Sequence, residues 1–259
     1  MKKFFAWILA GTILLSMASC VKKEEIGEEE VVEKEAVVII QGAAGEETFG
    51  VSITSGNTIE ITSYSGSYDL HPVTVPAEIE GRPVTAIGES AFYHANNITE
   101  IILPATVTSI GDWAFAGCNY LTSVTGSDAV TTIGKGAFCQ SPALKTVQFS
   151  STLTEICDYA FSGCNALENV TLPATLTKIG NAAFENCTSL TAISIPNAVA
   201  SIGLLAFDGC SALTSATLTA GTTEIGNFAF NACSKNLVIS CPAGSAAAAY
   251  AAEAGIATK

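Results

Sequence analysis

The sequence predicts a β-rich, horseshoe-like solenoid of about seven 23-residue coils, closed by an N-terminal β cap and a short C-terminal helix cap, on three observations. The motif Ile-Gly-x-x-Ala-Phe begins at Ile87, Ile110, Ile133, Ile156, Ile179, Ile202 and Ile225, every interval being 23 residues, and only Cys157 replaces its glycine. Other positions keep the same phase. Phe92, Phe115, Phe138, Phe161, Phe184, Phe207 and Phe230 form one column, and Ala95, Cys118, Ser141, Cys164, Cys187, Cys210 and Cys233 follow three residues later. Between motifs, stretches such as Ile193-Ser194-Ile195-Pro196 read as short strands with the apolar side inward. Pro104, Pro173, Pro196 and Pro242 end such strands, because proline cannot donate to a ladder.

The elements follow in order. Lys2 and Lys3 precede an apolar run from Phe4 to Leu15, which has the length of a signal-peptide core and falls short of the roughly 20 residues of a membrane span. The run ends in Ser16-Met17-Ala18-Ser19-Cys20, which resembles a bacterial lipobox with Met17 where leucine is usual. Cys20 is therefore the expected lipidation site and residues 1–20 the signal peptide, an ordinary cleaved signal with an incidental Cys20 being the alternative. Residues 21–35 hold seven glutamates against three lysines and read as a flexible acidic tether. Lys22-Lys23-Glu24-Glu25 also resembles the short acidic tags that send some lipoproteins to the outer face of the outer membrane. Residues 36–80 form the β cap, with strands over 36–41, 50–54 and 58–63 and a turn at Ser55-Gly56-Asn57. The solenoid occupies 81–241. In the C-terminal cap, 242–259, Ser245 is the N-cap and Gly255 the stop of a helix.

A fixed period of roughly 20–29 residues is the signature of a leucine-rich-repeat solenoid. One coil cannot cover its own apolar residues, whereas neighbours about 4.8 Å apart bury each other's faces. A slip of one residue would turn every inward column outward, which enforces the register. The glycine after each motif isoleucine is expected to allow positive φ or a close approach of backbones at a corner. Cys118, Cys164, Cys187, Cys210 and Cys233 share an interior column. Stacked positions stand about one strand spacing apart, farther than the roughly 3.8 Å between Cβ atoms of a disulfide. They are expected to be free thiols acting as small hydrophobes. Cys139, Cys157 and Cys241 lie off that column, and pairing among them is open.

The Ile-Gly-Asp/Asn-x-Ala-Phe turn, the Gly-Cys-x-x-Leu step at Gly117-Cys118 and Gly163-Cys164, the Ile-x-Ile/Leu-Pro strand end and the lead-in from Ile79 to Ile87 closely resemble the BspA-like leucine-rich repeat family. The resemblance spans roughly residues 58–250. It implies a cell-surface protein that adheres to host matrix proteins or to other bacteria, since members of that family are known as surface antigens and adhesins.

Charge and chemistry narrow the classes. A net charge of −13, with 15 acids against six bases from residue 49 onward, argues against nucleic acid and anionic lipid as ligands. His71 and His94 are the chain's two histidines, and there is neither a CxxC nor a Cys/His metal-ligand spacing. Gly134-Lys135-Gly136 lacks the rest of a dinucleotide loop, and no Gly-x-Ser-x-Gly elbow occurs. The sequence thus points to a binding protein rather than an enzyme, without cofactor or metal.

Ligand contacts are expected in columns that the repeat does not force. The position before Ala-Phe reads Ser90, Trp113, Gly136, Tyr159, Ala182, Leu205 and Phe228, and aromatic residues are enriched in binding hot spots. Rings that merely cover the corner between coils are the competing reading. Thr85, Thr108, Thr131, Thr154, Thr177 and Thr223 form a ladder that is first of all good β surface. Tyr93, His94, Asn96, Asn97, Asn119 and Tyr120 add a polar and aromatic rim near the first coils. The candidate binding residues are Trp113, Tyr120, Tyr159, Tyr93, His94 and Phe228. The expected role is that of an outer-membrane lipoprotein on the cell surface contacting a host or bacterial protein, with a periplasm-facing envelope scaffold and glycan capture as alternatives.

Overall fold

The computed structural model describes residues 14–15, 36–42 and 45–259, with side chains described from Glu47 onward. The expected signal peptide, Cys20 and the acidic tether lie outside the described residues, apart from Leu14–Leu15, which runs antiparallel to the strand Ala36–Gly42.

The chain winds as a β-solenoid of about nine turns with two strand ladders. The first ladder runs through Arg82–Ile87, Ser109–Ile110, Thr132–Ile133, Glu155–Ile156, Lys178–Ile179, Ser201–Ile202 and Glu224–Ile225, all parallel, each motif isoleucine opposite the next. Three antiparallel strands, Ala36–Gly42, Gly45–Ile53 and Ile59–Ser65, extend the start of this sheet. Ile59–Ser65 then pairs in parallel with Arg82–Ile87 and carries the cap into the solenoid. The second ladder joins His71–Thr74, Ile98–Ile102, Ser123–Thr125 and Thr146–Val147, and resumes with Ala192–Ser194, Ser215–Thr217, Val238–Ser240 and Ala257–Thr258. Between its halves a single bridge links Asn169 to Ala192.

The core is a column of rings. From Phe92 to Phe230 successive phenyl centroids stand 4.9 to 5.3 Å apart, with planes within 20° of parallel. That spacing is the strand spacing, which forces offset stacking on rings that would otherwise tilt. Tyr64 continues the stack below Phe92, at 5.0 Å. Burying each phenylalanine contributes roughly 1.5–3 kcal/mol relative to exposure. None of the glycines that follow a motif isoleucine has a positive φ. Close approach is the operative reason, since a Cβ on Gly203 would stand 2.5 Å from the Asn181 nitrogen one coil back.

The C-terminal cap is the helix Ala246–Ala254. The Ser245 side chain accepts the Ala248 N–H, and Gly255 ends the helix at φ 68°. Ser245 and Gly255 thus satisfy backbone groups at the two ends of the helix that would otherwise be orphaned.

Candidate functional site

The column before Ala-Phe has one backbone conformation throughout. Ser90, Trp113, Gly136, Tyr159, Ala182, Leu205 and Phe228 all have φ between 51° and 60°. This left-handed geometry costs an L-residue about 1–2 kcal/mol. It persists because stacking over-determines it: the N–H of Trp113 donates to the Lys135 carbonyl at 2.8 Å, and Tyr159 repeats this with Asn181. The residues just before this column are also tied coil to coil. Asp112 Oδ1 accepts the Lys135 N–H, Asp158 Oδ1 the Asn181 N–H, and Asn181 Oδ1 the Leu204 N–H. That ladder explains Asp or Asn after Ile-Gly, which the sequence shows without explaining.

The aromatic members of the column have different fates. Trp113 is half-buried, and its indole lies over Gly136, where a Cβ would collide with the ring. Tyr159 is 39% exposed, with Lys135 Nζ 5.9 Å from its ring centre. Phe228, at the last coil, is 62% exposed. Two coils separate Trp113 from Tyr159 and three separate Tyr159 from Phe228, so at about 4.8 Å per coil they stand roughly 10 and 14 Å apart. They do not form one patch.

A second left-handed column was not legible as such. His94, Gly117, Gln140, Gly163, Asn186, Gly209 and Ala232 all have positive φ. Polar side chains alternate with glycines because each lies over the glycine of the next coil: His94 over Gly117, Gln140 over Gly163, Asn186 over Gly209. His94 is therefore part of a packing alternation as well as of the rim.

The rim itself is assembled around the first coils. Tyr93 and Tyr120 are exposed, at 55% and 52%, and the rings of Tyr93 and His94 meet edge to face at 4.3 Å. Asn96 Oδ1 accepts the Asn119 N–H at 3.0 Å, and Asn97 Nδ2 donates to the Ser67 carbonyl at 2.7 Å. The latter bond fastens to the rim a loop with two more exposed apolar side chains, Tyr68 and Leu70. Sequence reading missed both, since they precede the first motif and no period marks them.

Two sets of buried titratable groups are tied into the packing. The eight cysteines from Cys118 to Cys241 are free thiols. In the interior column each Sγ donates to the phenylalanine carbonyl of the preceding coil: Cys118 to Phe92, Cys164 to Phe138, Cys187 to Phe161, Cys210 to Phe184 and Cys233 to Phe207, at 3.1 to 3.3 Å. Ser141 does the same to Phe115 at 2.9 Å. The column is thus a donor ladder as well as a row of small hydrophobes. Burial pushes the Cys118 and Cys233 thiols up to about 12 and raises the others of the column too, which withdraws them from nucleophilic chemistry. In the N-terminal cap, His71 Nδ1–H donates to the Asp69 carbonyl, while His71 Nε2 lies 3.1 Å from the Tyr64 hydroxyl and 3.3 Å from Glu47 Oε1. His71 and Glu47 are buried, and burial raises the Glu47 carboxyl above its usual range.

Comparison with known proteins follows the same lines. A family model described as the BspA type leucine rich repeat region matches in six copies, over residues 51–167, 85–190 and 154–248. A leucine rich cell surface protein from Faecalibacterium prausnitzii A2-165 is 31% identical, with a TM-score of 0.68 over 78% of this chain and 54% of its own. The chain therefore spans about half the length of that relative. A leucine rich repeat protein of T. pallidum is 27% identical over 74% of this chain and 82% of its own, with a TM-score of 0.48. No curated protein matches. No catalytic family is indicated, and leucine-rich-repeat solenoids are typically binding scaffolds. On the repeat register, the stacked coils and the matching family model together, the chain belongs to the BspA-type leucine-rich repeat family.

Proposed function

We propose that this chain is a lipid-anchored protein of the bacterial cell surface that holds a protein partner, of the host matrix or of another bacterium, through its solenoid. The observation that carries this reading is the exposed aromatic rim of Tyr68, Tyr93 and Tyr120 on a body whose buried polar side chains are all paired among the described residues. Exposed tyrosines on a rigid frame supply contact area at low entropic cost. Likeness to a protein described as a cell surface protein supports the location. Cys20 would hold the anchor, the acidic tether would give reach, and cleavage before Cys20 would remove Leu14–Leu15 from the edge of Ala36–Gly42.

The test is binding of the mature chain to a panel of immobilised extracellular matrix proteins, with Tyr93→Ala/Tyr120→Ala as the variant. At least tenfold weaker binding by the variant is expected. Unchanged binding would remove the rim from the account, and binding of free oligosaccharide instead would replace protein capture by glycan capture.

A further inference from the structure

Each coil hands its backbone to the next in a fixed way. Leu205, Phe207 and Gly209 donate their N–H groups to the carbonyls of Asn227, Ala229 and Asn231, at 3.2, 2.7 and 3.0 Å. After the last motif the second ladder gains one more rung, Ala257–Thr258, whereas on the motif side the helix Ala246–Ala254 takes the place of a further turn. There the Phe230 N–H meets the Tyr250 hydroxyl at 3.0 Å, and the Tyr250 ring stands in for the next phenyl, 6.0 Å away and inclined at 63°. The flanking N–H groups of Phe228 and Ala232 have no protein acceptor among the described residues. The carbonyls of Thr223 and Ile225 likewise have no donor there, although their counterparts Ala200 and Ile202 accept from Thr223 and Gly226. Glu224–Ile225 is the edge of the long sheet. Over this edge the helix Ala246–Ala254 leaves a cavity of about 900 Å³, walled by Ile225, Phe228, Lys235, Tyr250 and Glu253 among others.

We propose that this cleft is a binding site for an extended segment of a partner polypeptide, which adds to the open coil end as one more rung. The edge offers two free donors and two free acceptors at the spacing of a neighbouring backbone. A small anion would meet the donors alone, and a lipid chain would leave all four groups unpaired. The surface to be covered continues the coil-on-coil interface that the chain itself repeats from its first motif to its last. Strand addition takes affinity from main-chain hydrogen bonds and selectivity from side-chain pockets. Here the cavity between Phe228 and Tyr250, within the usual range of ligand pockets, suits an aromatic or branched aliphatic side chain. The inference rests on the partner-binding reading and places a contact at the end remote from the N-terminal rim.

The probe is a blocked peptide of the chain's own residues 178–186, Lys-Ile-Gly-Asn-Ala-Ala-Phe-Glu-Asn, which carries the edge of a coil. It is added to the mature full chain and followed by residue-resolved amide exchange. Without peptide, Phe228 and Ala232 should exchange faster than Phe230. With peptide in excess, both should slow at least tenfold, a scrambled peptide should leave them unchanged, and Phe228→Gly, which suits the left-handed backbone, should weaken binding at least fivefold. Unchanged exchange, equal protection by the scrambled peptide, or protection at Ser90 to His94 instead would overturn the proposal. Protection that rises with protein concentration alone would do so as well, because a second copy would then be the occupant. None of these results bears on whether the protein is on the cell surface, so failure of the cleft and failure of the surface reading are distinguishable.

Discussion

The indole of Trp113 lies across Gly136, one coil on, in the space that a methyl group at Gly136 would need. Both residues are left-handed, at φ 57° and 60°, so the ring of one coil is housed by the missing side chain of the next. Gly136→Ala should therefore cost about 2–4 kcal/mol, from overpacking of roughly 1–3 and backbone strain of roughly 1. With Trp113→Ala already present, the same change should cost only about 1 kcal/mol, since the methyl then has room. Urea unfolding of the two single variants and the double variant measures the coupling, and strict additivity would contradict the contact.

The thiol ladder gives a second test. With Cys118 and Cys233 held at about 12, and Cys164, Cys187 and Cys210 raised by the same burial, the column carries almost no thiolate at neutral pH. Brief maleimide treatment of the native chain should leave these five unmodified, and denaturation should expose them. Cys187→Ser should be nearly neutral, because Ser141 fills the same place and donates to Phe115. Cys187→Ala, which leaves the Phe161 carbonyl without that donor, should cost about 1 kcal/mol. A serine variant less stable than the alanine variant would rule out the donor role.

Tyr250→Phe retains the ring and removes the acceptor of the Phe230 N–H. The expected loss is about 1 kcal/mol. In a solenoid it should be confined to the end: amide exchange quickens at Phe230 and along Ala246–Ala254, while Ile87 and Ile110 keep their protection. Uniform loss along the chain would show instead that the coils unfold as one unit.

Burial raises the Glu47 carboxyl in the folded protein, against a smaller lowering by His71. A raised folded value means that the contribution to stability is fully present below the unfolded value of about 4.3 and fades as pH rises through the folded one. Glu47→Gln removes this titration. The stability of the native chain relative to the variant should fall between pH 4 and pH 7. A difference that stayed level or grew over that window would contradict a raised Glu47.

The ring column and the ladders were legible because Phe92 to Phe230 and the motif isoleucines repeat in kind as well as in position. The left-handed column was not. Ser90, Trp113, Gly136, Tyr159, Ala182, Leu205 and Phe228 share a backbone imposed by stacking and nothing in side-chain chemistry. The alternation from His94 to Gly209 repeats every two coils, which a search at one coil hides, although Gly117, Gly163 and Gly209 were there to be compared. Ser141 was likewise the visible sign that the cysteine column donates, since a hydroxyl in a buried row needs an acceptor. Tyr68 and Leu70 carry no such mark, and only the bond from Asn97 to Ser67 ties their loop to the rim.

The central claim, a surface-anchored binding protein, is tested most directly by protease shaving of intact cells, with the segment 49–259 detected and a Cys20→Ala variant as control. The expected result is loss of the solenoid signal from whole cells and release of the variant from the membrane. A signal that survives in intact cells and disappears only after the outer membrane is ruptured would place the chain in the periplasm and contradict the surface reading.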